Sequence, residues 1–165
     1  AVYLWELDLS GDAKILSRLN AAQYASQSRP SDGESLVISD HRFITVVNSR
    51  VLVLWEADPH SKEARIITHL SVLDQFDGVP GHSKSLCSID AISENRFVTS
   101  SFDNSAILWE VDTNGSVKII SRMGSASGSD RNRGHILRIT SSAAIAADKF
   151  ITTSHELYHW LTHTF

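Results

Sequence analysis

Apolar positions along this chain come in short runs that end on tryptophan. Val2–Trp5, Val51–Trp55 and Ala106–Trp109 are apolar throughout, and a glutamate follows each tryptophan. A strand covered on one face alternates apolar with polar residues, so these runs predict strands buried on both faces, as in stacked sheets. The clearest unit is Arg96–Asp112, where Phe97–Ser101 and Ala106–Trp109 flank the turn Asp103-Asn104-Ser105. Turn residues that tolerate unusual backbone angles, set between β-favouring segments, predict a hairpin.

The hairpin is repeated. Trp5, Trp55, Trp109 and Trp160 are 50, 54 and 51 residues apart. After the first three come Lys14-Ile15-Leu16-Ser17-Arg18, Arg65-Ile66-Ile67-Thr68-His69 and Lys118-Ile119-Ile120-Ser121-Arg122. Before the last three come Arg42-Phe43-Ile44-Thr45, Arg96-Phe97-Val98-Thr99 and Lys149-Phe150-Ile151-Thr152. Matches that recur in one order define a repeat of about four short strands, here lettered a to d, with the tryptophan ending strand c.

A unit of this size, with tryptophan closing strand c, resembles a WD40 repeat, the blade of a β-propeller. Gly81-His82 and Gly134-His135 match the Gly-His pair that opens such repeats. The resemblance implies an all-β fold, a β-propeller segment of WD40-like four-stranded antiparallel blades. It also implies a buried hydrogen-bonded set of His82, Thr99 or Ser101, Asp103 and Trp109 in the middle unit. The unit before it carries Ser49 at the aspartate position, and the last has a b–c turn two residues shorter with no aspartate there. Glu6, Glu56 and Glu110 replace the usual aspartate after tryptophan.

The strands divide the chain into one propeller segment with four parts. Residues 1–19 supply strands c and d of a partial blade, 20–72 and 73–123 are blades, and 124–165 is a blade lacking its last strand. Closed propellers have at least four blades, so an incomplete ring is expected, completed by blades from the parent chain or another copy. The start at Ala1 rather than Met is read in the same sense.

Composition narrows the function. A net charge of −4 argues against nucleic acid, which calls for a basic face, and no apolar run is long enough to span a bilayer. The single cysteine, Cys87, fits a reducing compartment and a cytoplasmic location; in strand a it reads as a small buried hydrophobe. Asn114-Gly115-Ser116 reads as a turn rather than a glycosylation site. No nucleotide-binding loop or nucleophile elbow is present in the sequence, and no cofactor is expected.

WD40-like propellers mostly bind proteins, so the resemblance implies an interaction scaffold rather than an enzyme, presenting its d–a and b–c loops to a protein or peptide. The long d–a connections Asn20–Glu34, Ser71–Pro80 and Gly124–Gly134 offer Tyr24, Arg29, Phe76, Arg131 and Arg133 as anchors. Lys84, after the Gly-His pair, and Phe102, before the turn aspartate, are further candidates by the resemblance. Two alternatives remain: a purely structural part of a larger multidomain protein, and a zinc hydrolase. The stretch His155-Glu156-Leu157-Tyr158-His159 matches H-E-x-x-H, which on a helix puts both histidines on one metal. The repeat register places it on strands, where residues four apart lie roughly 13 Å apart, too far for one ion.

Overall fold

The computed structural model describes residues 2–7, 9–10, 12–19, 34–58, 60–61, 63–124, 139–146 and 149–154. Every regular element among them is a strand. Strands β1 (Val2–Leu7) and β2 (Ala13–Leu19) form a two-stranded sheet. Next, β3 (Ser35–Val37), β4 (Arg42–Val47), β5 (Val51–Ala57) and β6 (Ala64–Ser71) form an antiparallel sheet in chain order. The linker after it, expected from the sequence as a long connection, holds a small hairpin, β7 (Gln75–Phe76) and β8 (Val79–Pro80). A second four-stranded sheet follows in β9 (Leu86–Ser93), β10 (Arg96–Ser101), β11 (Ser105–Val111) and β12 (Val117–Gly124). Finally, β13 (Ile139–Ala146) pairs with β14 (Lys149–Ser154).

Period-two patterning explains how the sheets stack. In β4 and β5, Phe43, Val51, Val53 and Trp55 point one way and pack with Leu19 of β2. Ile44, Val46, Leu52 and Leu54 point the other way and pack with Phe97, Ile107 and Trp109 of the next sheet. The far face of that sheet carries Val98 and Ala106 against Ile139 of β13. The first strand of each sheet lies beside the first strand of the next, β3 by β9 and β9 by β13. The sheets are therefore packed like adjacent blades. The described sheets do not close into a ring.

The repeat reaches into backbone detail. Each c–d pair has a register shift just before its tryptophan, at Leu4/Trp5, Leu54/Trp55 and Leu108/Trp109. An extra residue on the d strand bends it at that level. One such residue, Ile67, meets the c–d turn of the next sheet at Gly115, whose φ is +86° and where a Cβ would collide with the Ile67 side chain. Arg42 grips the same turn, donating to the carbonyls of Asp112 at 3.0 Å and Thr113 at 2.8 Å.

The glutamates that replace aspartate after tryptophan have a structural explanation. Glu56 faces Arg42 across β4–β5 and Arg65 across β5–β6, and Glu110 faces Arg96 and Lys118 in the same way. The contacts are 3.3 Å and 2.6 Å for Glu56, and 2.7 Å to each cation for Glu110. The Arg65 hydrogen bond, with Arg42 behind it, lowers the Glu56 pKa; Lys118, then Arg96, does so for Glu110. The longer side chain spans three strands.

Candidate functional site

The candidate site is where the connection from β6 to β9 meets the turn between β10 and β11. Its base is Trp109, fully buried, with Phe97 stacked at 6.0 Å and 7°. Trp109 Nε1–H donates to Thr99 Oγ1 at 2.7 Å, and that oxygen lies 2.8 Å from His82 Nε2. Indole nitrogen can only donate. The ionised Asp103 carboxylate beside Nδ1 can only accept, which assigns the imidazole proton to Nδ1 and leaves Nε2 to accept from the Thr99 hydroxyl. Nδ1 faces Ser105 Oγ at 2.9 Å and Asp103 Oδ2 at 3.3 Å. Every polar atom along this path, from the core to the surface turn, is satisfied.

Asp103 is the hub. Its carboxylate accepts from the Ser83 N–H at 2.7 Å, the Ser105 N–H at 2.9 Å and the Ser105 hydroxyl at 2.5 Å. Arg122, on the end of β12, reaches it at 3.2 Å and also donates to the carbonyls of Pro80 and Gly81. Burial alone would raise the Asp103 pKa. The hydrogen bonds from His82, Ser105 and Ser83 outweigh it and hold the carboxyl well below the usual carboxylate range. The side chain is 3% exposed, so removing its charge would leave these donors stranded.

Gly81 lets the histidine reach inward. Its N–H bonds to the Asp74 carbonyl at 2.8 Å, and the His82 N–H bonds to the Val72 carbonyl at 2.6 Å. A Cβ at Gly81 would run into both of those carbonyl oxygens. The Gly-His pair is thus threaded through the Val72–Asp74 turn, where only a glycine fits.

The structure brings His82, Thr99, Asp103 and Trp109 into one hydrogen-bonded path and places Ser101 beside it. The Ser101 hydroxyl donates toward the carbonyls of Lys84, at 3.1 Å, and Ser85, at 2.9 Å, and accepts from the Asp103 N–H at 3.1 Å. It therefore anchors the start of β9 to the same turn. Sequence reasoning missed Ser105 and Arg122. Ser105 had a signal in the Asp-x-Ser spacing of the turn, and Arg122 in the basic residue that ends each d-strand match at Arg18, His69 and Arg122.

Lys84 and Phe102 are exposed on this rim, Phe102 at 37%. Leu73 and Val79 are exposed on the adjoining connection. Phe76 differs from its sequence reading as a surface anchor: its ring is half-buried, edge-on to Trp109 at 5.1 Å, and covers the core. Tyr24, Arg29, Arg131 and Arg133 lie outside the described residues, as do Gly134-His135, the His155–His159 stretch and Trp160.

No family model and no curated protein matches the chain. Among solved structures it is similar to U3-55K, with a TM-score of 0.55 and 11% identity over 88% of this chain and 39% of that one. The chain thus spans about two fifths of that structure. It also matches the Pseudomonas aeruginosa periplasmic gluconolactonase PpgL, with a TM-score of 0.48 and 12% identity over 73% of this chain and 32% of that one. A third match is the WD40 β-propeller domain of Doa1, with a TM-score of 0.33 and 14% identity over 76% of this chain and 64% of that one. At such identities likeness concerns the fold alone. By sheet order and stacking, the chain is an all-β, propeller-type array of four-stranded antiparallel blades, not closed into a ring among the described residues.

Proposed function

We infer that the chain is a WD40-type propeller segment acting as a non-enzymatic scaffold for a protein or peptide partner in the cytoplasm. The observation that carries this reading is the pairing of an exposed rim with a locked base. Lys84 and Phe102 are exposed, yet their neighbours Ser83 and Asp103 are tied together through a buried carboxylate. A side chain held on a rigid base loses less conformational freedom when a partner binds, which favours affinity. An exposed aromatic whose backbone bonds to Ser85, next to Lys84, with Leu73 and Val79 exposed on the same connection, offers an apolar anchor flanked by charge.

The ring is completed by further blades, from the parent chain or another copy. At the two ends of the array, Tyr3 and Ile15 on one sheet and Ile145 and Ile151 on the other are exposed. Exposed apolar side chains on sheet faces favour such closure.

The test is affinity capture with Tyr24, Lys84, Phe102 and Arg131 all changed to Ala. Loss of partners that the wild-type chain retains, at unchanged circular dichroism, is the expected result. Retention of the same partners would refute this choice of site.

A further inference from the structure

We propose that the rim around Ser85 recognises an acidic peptide, taking a carboxylate at Arg50 and Lys84 and apolar side chains at Phe102 and Leu73. The inference rests on the reading of this rim as a partner-binding surface. It adds the sign of the partner's charge and a contact residue, Arg50, contributed by the neighbouring sheet.

Exposed side chains from both four-stranded sheets meet at Ser85. Its hydroxyl accepts from Arg50 Nε at 3.1 Å, its carbonyl accepts from the Phe102 N–H at 3.1 Å, and Lys84 precedes it in the chain. The Arg50 carbonyl accepts from the Val72 N–H at 2.8 Å, which brings Leu73 to the same place. Arg50 and Lys84 are exposed, as are Leu73 and Phe102, so two cations and two apolar side chains share one patch.

The two cations differ from the others on these sheets. Arg42, Arg65, Arg96, Lys118 and Arg122 each have a carboxylate within 3.3 Å. Arg50 and Lys84 have none among the described residues. Acids close by do not neutralise them: Asp103 is buried and taken by Arg122, and Asp74 and Asp77 make no ion pair among the described residues. The bond from Nε to Ser85 orients the Arg50 guanidinium and leaves its two Nη groups for a ligand. Such a fork matches a carboxylate. The blade itself does not call for this cation, because the repeat puts Asn104 at the position of Arg50 in the next sheet. On a chain of net charge −4, two unneutralised cations beside apolar side chains favour a partner that brings acid to them.

The test is selection from a random peptide library with the full chain as bait. Acidic sequences that carry a large apolar residue are the expected result. Against a recovered peptide, Arg50→Glu and Lys84→Glu should each weaken binding about fivefold or more, and added salt should weaken the wild-type complex. Changing the peptide's acid to Lys should restore binding to these variants and abolish it for wild type. Lys84→Glu decides the matter if Arg50→Glu disturbs the bond to Ser85, since the Lys84 side chain makes no bond among the described residues. A basic or uncharged consensus, or peptides indifferent to both variants, would overturn the acidic partner and leave the rim as a binding surface. Binders obtained only from a matched library with phosphoserine in place of Asp and Glu would overturn the carboxylate. No enrichment from either library would refute the rim itself, and with it the reading on which the inference rests.

Discussion

The sheets β3–β6 and β9–β12 are two versions of one sequence, and they share less chemistry than their backbones suggest. In each, a phenylalanine stacks on the tryptophan at 6.0 Å, and the indole N–H donates to a threonine, at 2.9 Å in the first and 2.7 Å in the second. The difference lies beyond that threonine. In β9–β12 the path continues through His82 to Asp103 and the surface turn. In β3–β6 the aspartate position is Ser49, and Asn48 and Ser49 both adopt left-handed backbone angles. That turn also reaches the neighbouring sheet: the Ser49 carbonyl accepts from Leu86 N–H at 2.7 Å, and Arg50 donates to Ser85 at 3.1 Å. The aromatic and threonine skeleton is enough to build a blade. The histidine and aspartate add a tie between one blade's own connection and its turn.

The largest expected effect tests what the two sheets share. Trp55→Ala and Trp109→Ala should each cost about 3–5 kcal/mol by urea denaturation, because both rings are buried. A small loss for either would mean that the shared skeleton is not what holds that sheet.

The threonines come next and separate the sheets. Thr45→Val strands the indole N–H of Trp55, whereas Thr99→Val strands both Trp109 Nε1 and His82 Nε2. At about 1–3 kcal/mol for each stranded group, Thr99→Val should cost roughly twice as much as Thr45→Val. Equal losses would show that His82 takes little from the path.

The dependence on pH follows from Asp103. Its pKa in the folded chain is depressed, so its contribution is fully present above its unfolded value of about 3.9 and is lost as pH falls toward the folded value. The urea midpoint of the wild-type chain should fall on acidification below about pH 4 more steeply than that of Asp103→Asn. Parallel acid limbs would remove Asp103 from the lock. In the first sheet the equivalent position is Ser49, which does not titrate.

Among these changes the smallest effect belongs to the surface cations. Arg42 bonds both Glu56 and two carbonyls of the next sheet's turn, while Arg96 is paired with Glu110. Arg42→Ala should lower the melting midpoint more than Arg96→Ala, since exposed ion pairs alone contribute little. The reverse order would discount the contact between Arg42 and the Asp112–Gly115 turn.

Strand positions were legible in the sequence because the repeat fixes them three times over, and in the two four-stranded sheets phenylalanine stands opposite tryptophan. The b–c turn of the middle sheet was legible for the same reason, with His82 and Asp103 following from the resemblance. Three things were not legible. Gln75–Pro80 folds as a hairpin because Asp77 and Gly78 supply the positive backbone angles, at 51° and 81°, in a stretch too short to show a pattern. Arg122 sits on a strand whose spacing says nothing of where its guanidinium reaches. Phe76 looked like a surface anchor in a polar connection, but the ring edge of Trp109 offered it a better place.

His82 and Asp103 act as one unit, and a double-mutant cycle is the decisive measurement of that coupling. Urea unfolding of wild type, His82→Ala, Asp103→Ala and the double variant should give a coupling of about 1 kcal/mol or more, with the double variant losing less than the two singles combined. Losses that add to within about 0.5 kcal/mol would mean that the two residues act separately, and the lock between connection and turn would not exist.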